Sequence, residues 1–203
     1  MDLSTAPPVD AWLVDLAVEV LARGEREGVR SWDLRLDGRR RRGIRATLIV
    51  QPGVAGLVWV HYAPPLGDSF RKSYRQLLRW NDELPFAKFA LGADERLILT
   101  TEIAPTRLDR DAVGLALARV IAICDLLWEE SAHWVLPGGA SAAGQKGGAP
   151  SAVLERYRDA LGDLEMSDGP ARPAGTLAAD PASAQPAPIG PAEQPDPGEG
   201  RPT

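Results

Sequence analysis

The chain of 203 residues holds one cysteine, Cys124, and two histidines, His61 and His133. A single cysteine excludes an internal disulfide and fits a reducing cytosol. No second ligand set at metal spacing accompanies either histidine, so the common zinc constellations are excluded. No apolar run approaches the roughly 20 residues that a bilayer-spanning helix needs. The opening "MDLSTAPPVDAW" shows no basic segment followed by an apolar one, so no signal peptide is expected. The "GxSxG" elbow of a hydrolase is missing. "GGASAAGQKGG" fails as a phosphate loop, because Gln145 separates Gly144 from Lys146 and Gly147 follows where Ser or Thr is required. Basic excess is missing too. A net charge of -5 and a pI near 5.1 argue against general affinity for nucleic acid or anionic membrane. These absences predict a cytoplasmic protein that is not an enzyme, with no cofactor, no metal and no membrane contact.

What is present is a foldable domain followed by a tail. The hydrophobic share of 44% supports a core, and 25% charged residues suit a wetted surface. Composition changes after Trp134. A domain over 1–136, folded from about residue 9, is followed by a small-residue linker over 137–150. Residues 151–166 read as one short helix, with Ser151 as its cap and Val153, Leu154, Tyr157, Leu161 and Leu164 as its apolar stripe. From 167 to 203 the chain is mostly Pro, Ala and Gly without an aromatic residue. That composition cannot offset the entropy of ordering, so a disordered tail is expected.

Periodicity within the domain predicts eight elements. Asp10 caps a first helix carrying Trp12, Leu13, Leu16, Ala17, Val20 and Leu21, which Gly24 or Gly28 ends. "SWDLRLDG", "GIRATLIV" and "AGLVWVHY" alternate as three strands. Ser69 opens a second helix with Phe70, Tyr74, Leu77 and Leu78 on its buried side, and Pro85 helps end it. "FAKFAL" and "RLILTTEI" flank the "GADE" turn as two more strands. Asp109 caps a last helix striped by Val113, Leu117, Val120, Ile121, Cys124 and Leu127. The order α-β-β-β-α-β-β-α describes an α+β fold with an antiparallel five-stranded sheet covered by helices. Phe86 and Phe89 are three apart and cannot share a face of one strand. Either Phe86 precedes the strand, or both faces are covered.

"LLRWNDELPFAKFALGADERLILTTEI", followed by a leucine-rich helix, resembles the YbjN domain family. The matching positions are Leu78, Asn81, Leu84, Pro85, Phe86, Lys88, Phe89, Leu91, Leu97, Leu99 and Ile103. The match covers about residues 70–130, and 9–62 agree in pattern. The element order also resembles the type III secretion chaperone-like fold. The resemblance implies a small cytoplasmic bacterial protein, described in that family as a sensory transduction regulator or chaperone-like module. It implies binding of another protein or a peptide segment, and a homodimer. No catalytic, cofactor-binding or metal residues come with it.

Candidate partner contacts are basic. Arg39, Arg40, Arg41 and Arg42 crowd a hairpin, and Arg71, Arg75 and Arg79 recur every four residues along helix two. Trp80 stands where the family pattern has a small or polar residue. The function expected is a non-enzymatic protein-binding module, chaperone-like or a regulatory adaptor. The alternative is a nucleic-acid-binding regulator that uses the arginine hairpin and the helix-two stripe.

Overall fold

The computed structural model describes residues 7–64, 71–84, 86–128, 131 and 149–162. The chain divides into two units, 1–168 and 169–203, and every described residue lies in the first. The expected tail over 167–203, most of the expected linker, His133, Phe70 and the helix signals at Ser69 and Pro85 lie outside the described residues.

The fold is α+β, with one open antiparallel sheet of six strands in the order β1-β2-β3-β4-β6-β5. The strands are β1 (Glu19–Arg26), β2 (Val29–Leu36), β3 (Ile44–Gln51), β4 (Ala55–Ala63), β5 (Lys88–Leu91) and β6 (Leu97–Ile103). Helices α1 (Val9–Asp15), α2 (Arg71–Glu83) and α3 (Arg110–Leu126) are joined by two short pieces near the C-terminus, α4 (Ala152–Arg156) and α5 (Arg158–Leu161). One sheet face carries Trp32, Leu34, Leu36, Leu48, Val58, Val60, Leu97 and Leu99, all buried in a single core with the helices.

The strand count corrects the expectation of five. The sixth strand comes from the segment read as the end of helix one. That helix stops at Asp15, and Ala17 turns the chain with φ 52°. β1 then forms a hairpin with β2 through Glu27 and Gly28, both at positive φ (52° and 78°). Two positive φ values in a two-residue loop match the hairpin twist. Gly28 therefore serves this turn and does not end a helix. β1 was hidden because seven of its eight residues are exposed, which erases the alternation that marks a half-buried strand.

Asp10 does not cap α1, whose N-cap is Pro8. Its carboxylate instead accepts from Arg23 Nε at 2.6 Å and Trp32 Nε1 at 3.1 Å, joining α1 to β1 and β2. The Arg23 hydrogen bond, helped by Trp32, holds this carboxyl below its ordinary value of 3.8. A carboxyl depressed in the folded state stabilises above its unfolded pKa and loses that contribution as pH falls through the folded one. Urea midpoints of the parent and Asp10→Asn should differ at pH 6. The gap should close as pH drops below 3.8. A gap that persists there would assign the effect to packing.

α3 follows its signals. The Asp109 carboxylate accepts from Ala112 N at 2.8 Å, and Val113, Leu117, Val120, Ile121, Cys124 and Leu127 are all buried. On α2 the buried side is Leu77, Trp80 and the nearby Leu84, while Leu78, expected inside, is 69% exposed. The large indole takes the inner position, and the helical repeat then turns Leu78 outward. Phe86 precedes β5 at φ 61° and is exposed, whereas Phe89 lies in the core. This is the first of the two arrangements that their spacing allowed.

Candidate functional site

Three surfaces are candidates: the arginine hairpin, the outer side of α2, and the sheet face away from the helices. The hairpin between β2 and β3 is organised from within. The Asp125 side chain on α3 is 1% exposed and accepts three backbone N–H groups: Arg39 at 2.5 Å, Arg40 at 3.0 Å and Arg41 at 2.8 Å. Successive amides that converge on one carboxylate form an anion nest. Gly38 is required there, since an added Cβ would stand 2.2 Å from Asp125 Oδ1. Asp37 closes the loop by accepting from Gly43 N at 2.7 Å.

The side chains of this loop are also engaged. Arg41 is buried, with its guanidinium 4.6 Å from the Tyr62 ring centroid and 5.9 Å from that of Trp128. Its Nη2 donates to Tyr62 O at 2.6 Å, and the Tyr62 hydroxyl lies 2.6 Å from Ser131 Oγ. Arg39 pairs with Glu155 at 3.1 Å, and Arg42 Nη1 donates to Ala149 O at 2.9 Å. Burial pushes the neighbouring Cys124 thiol up to about 11, outweighing the opposite pull of Arg41. That shift favours the protonated thiol at neutral pH.

Helix two divides its candidates. Arg75 and Arg79 are exposed, the Arg71 side chain lies outside the described residues, and Trp80 is only 2% exposed. Trp80 packs against Phe89 with ring centroids 5.5 Å apart. Its expected role as a partner contact is corrected: α2 needs a large apolar group to cover β5. The structure thus joins Arg39, Arg40 and Arg41 around Asp125, leaves Arg75 and Arg79 on α2, and removes Trp80 from the surface.

Asn81 has a local task. Its side-chain amide donates to Phe89 O at 3.0 Å and accepts from Phe89 N at 2.6 Å. That pair imitates a neighbouring strand and closes the β5 edge, an edge that would otherwise invite pairing with another chain. At the opposite edge, β1 carries charges along its length and an irregularity between Val20 and Ala22.

The third surface was not among the expected contacts. On the face opposite the core, Trp59 sits across from Thr47 on one side and Thr100 on the other. Leu57 lies opposite Ile49 and His61 opposite Ile98. His61 also lies tilted against Trp59, with centroids 5.8 Å apart and planes at 40°. Ile49, Leu57 and Trp59 are half-buried, while Ile98 is buried outside the main core. Charges lie around them: Glu19, Arg35 and Arg45 to one side, Glu102 and Lys88 to the other. The Trp59 indole N–H is buried and has no acceptor among the described residues. The sequence did carry a signal for this surface. "LIV" at 48–50, "LVWV" at 57–60 and "LIL" at 97–99 are continuous apolar runs, which mark strands apolar on both faces.

Among the described residues no three His, Cys, Asp or Glu side chains are placed to hold a metal, and no helix is long and apolar enough to cross a membrane. Compared with models of known protein families the chain matches none, and no curated protein matches it.

Proposed function

We propose that the chain is a non-enzymatic, cytoplasmic protein-binding module of the YbjN type, chaperone-like or a regulatory adaptor, that docks another protein on its open sheet face. The observation that carries this reading is the apolar centre formed by Ile49, Leu57, Trp59 and Ile98 on the face away from the core. An antiparallel sheet face turned to water is ordinarily polar. An aromatic anchor ringed by small and charged side chains is the usual anatomy of a protein–protein contact. The closed β5 edge favours the face over strand addition there. Nucleic-acid binding through the hairpin loses support, because Arg39, Arg41 and Arg42 already have partners within the chain.

Trp59→Ala combined with Leu57→Asp tests the reading. The double variant should fold, with a stability change of roughly 1–2 kcal/mol. Its partner, recovered from the native host by the parent chain, should no longer be captured. Light scattering at micromolar concentration identifies the case in which that partner is a second copy, the expected homodimer. Capture that survives the double substitution removes the sheet face as the site. A salt-sensitive DNA shift abolished by Arg75→Ala and Arg79→Ala would move the function to nucleic acid.

A further inference from the structure

The row of the open sheet face that passes through Trp59 repeats itself on either side of β4. Thr47 on β3 and Thr100 on β6 flank Trp59, and beyond them stand Asp33 on β2 and Lys88 on β5. The row is therefore Asp-Thr-Trp-Thr-Lys, symmetric about β4 in its threonines and opposite in charge at its ends. Both end groups are exposed. Asp33 accepts from Thr47 Oγ1 at 2.8 Å, and the Lys88 ammonium donates to Asn81 O, which leaves each with bonding capacity to spare. Among the described residues neither has an ion-pair partner, whereas Glu19 and Arg35 beside them lie 3.9 Å apart.

Such a row is complementary to itself. A two-fold axis along β4, lying between two copies set face to face, puts Trp59 on Trp59, Thr47 on Thr100, and Lys88 on Asp33 of the other copy, twice over. Facing sheets lie about 10 Å apart, a gap that a lysine and an aspartate side chain bridge end to end. An axis along the row, in place of the strand, would put Lys88 on Lys88 and Asp33 on Asp33, which like-charge repulsion disfavours. Arg45 and Glu102 stand off the row, towards opposite ends of the strands, and are exposed. A strongly acidic or basic partner would be met by a face of one opposite sign, and this face carries both signs. Its area also suits a copy of itself. Six strands about 4.8 Å apart, five of them seven to nine residues long, present about 700 Å², close to the about 800 Å² per partner of a standard interface.

We propose that the occupant of the open sheet face is a second copy of this chain, seated about a two-fold axis along β4, with Trp59 at the centre and a Lys88–Asp33 ion pair on each side. The proposal rests on the sheet-face reading and names the partner which that reading leaves open. Paired aromatic anchors at the centre and charges towards the rim are the arrangement expected of such a contact.

Charge exchange in the full chain, followed by light scattering over a concentration series, is the test. The parent should be a dimer at micromolar concentration. Lys88→Asp sets acid against acid at both sides of the row, and Asp33→Lys sets base against base. Each should raise the dimer dissociation constant at least about tenfold, because an attraction becomes a repulsion and the axis repeats it. An equimolar mixture of the two variants should return to the parental dimer, since the acid placed at 88 in one chain then faces the base placed at 33 in the other. That recovery also shows both variants to be folded. A parent that stays monomeric, a Lys88→Asp chain that dimerises as tightly as the parent, or a mixture no tighter than its components overturns the proposal. Capture from the native host separates this failure from that of the sheet-face reading. A monomeric parent whose capture is lost on Trp59→Ala with Leu57→Asp keeps the face but assigns it to a different protein, and capture that survives that double substitution removes the face itself.

Discussion

Asp125→Ala should cost about 3–5 kcal/mol, read as a lower urea midpoint with an unchanged slope. The carboxylate is almost wholly buried and holds three amides of the hairpin loop. Truncation leaves those N–H groups facing a cavity, and each hydrogen bond to a charged partner contributes about 1.5–3 kcal/mol. The three losses do not simply add, because the loop can relax toward water. Even so, the total is a large share of the about 5–15 kcal/mol that holds a domain together. Gly38→Ala should do comparable harm by a different route, since its new Cβ would overlap the same carboxylate. Arg40→Ala keeps the backbone donors in place and should cost far less. If Asp125→Ala were as stable as the parent, the hairpin would not depend on this nest, and its arginines would again be candidates for a partner.

That contrast also shows what the sequence hides about the hairpin. Four consecutive arginines signal charge, and charge is expected at the surface. The sequence cannot show that Asp125, 84 positions from Arg41, lies under the loop and binds its backbone. Nor can it show Arg41 lying over Tyr62 and near Trp128. Elements whose burial follows a period were legible: β2, β3, β6 and α3 fall where the alternating and helical patterns put them. β1 was not legible, because an exposed edge strand has no apolar period to read. Trp80 failed for a related reason. The sequence pattern puts Leu77 and Leu78 on the inner side of helix two, and a one-residue rotation exchanges Leu78 for Trp80. The open-face patch was legible as continuous apolar runs, but only the register shows that Ile49, Leu57, Trp59 and Ile98 meet.

Phe89→Ala is the second large loss expected, about 3–5 kcal/mol, as for other buried aromatic truncations. Phe89 is 7% exposed and meets Tyr62 edge-on, with centroids 4.9 Å apart and planes at 84°. On its other side it meets Trp80, so one ring links α2, β5 and β4. Paired aromatics of this geometry contribute about 0.5–1.5 kcal/mol beyond the area they bury, and truncation removes two such contacts at once. The adjacent Lys88 provides the internal control. Its side chain is exposed and donates to Asn81 O, so Lys88→Ala should change stability by about 0.5 kcal/mol or less. Urea unfolding of both variants separates a structural corner from a binding anchor. In the corner reading, Phe89→Ala lowers the midpoint sharply, and any loss of partner capture follows from the weakened fold. A Phe89→Ala chain as stable as its parent that no longer captures the partner would make this ring the binding anchor. The motif around "LPFAKF" would then belong to the interface, and Trp59 would lose its place at the centre of it.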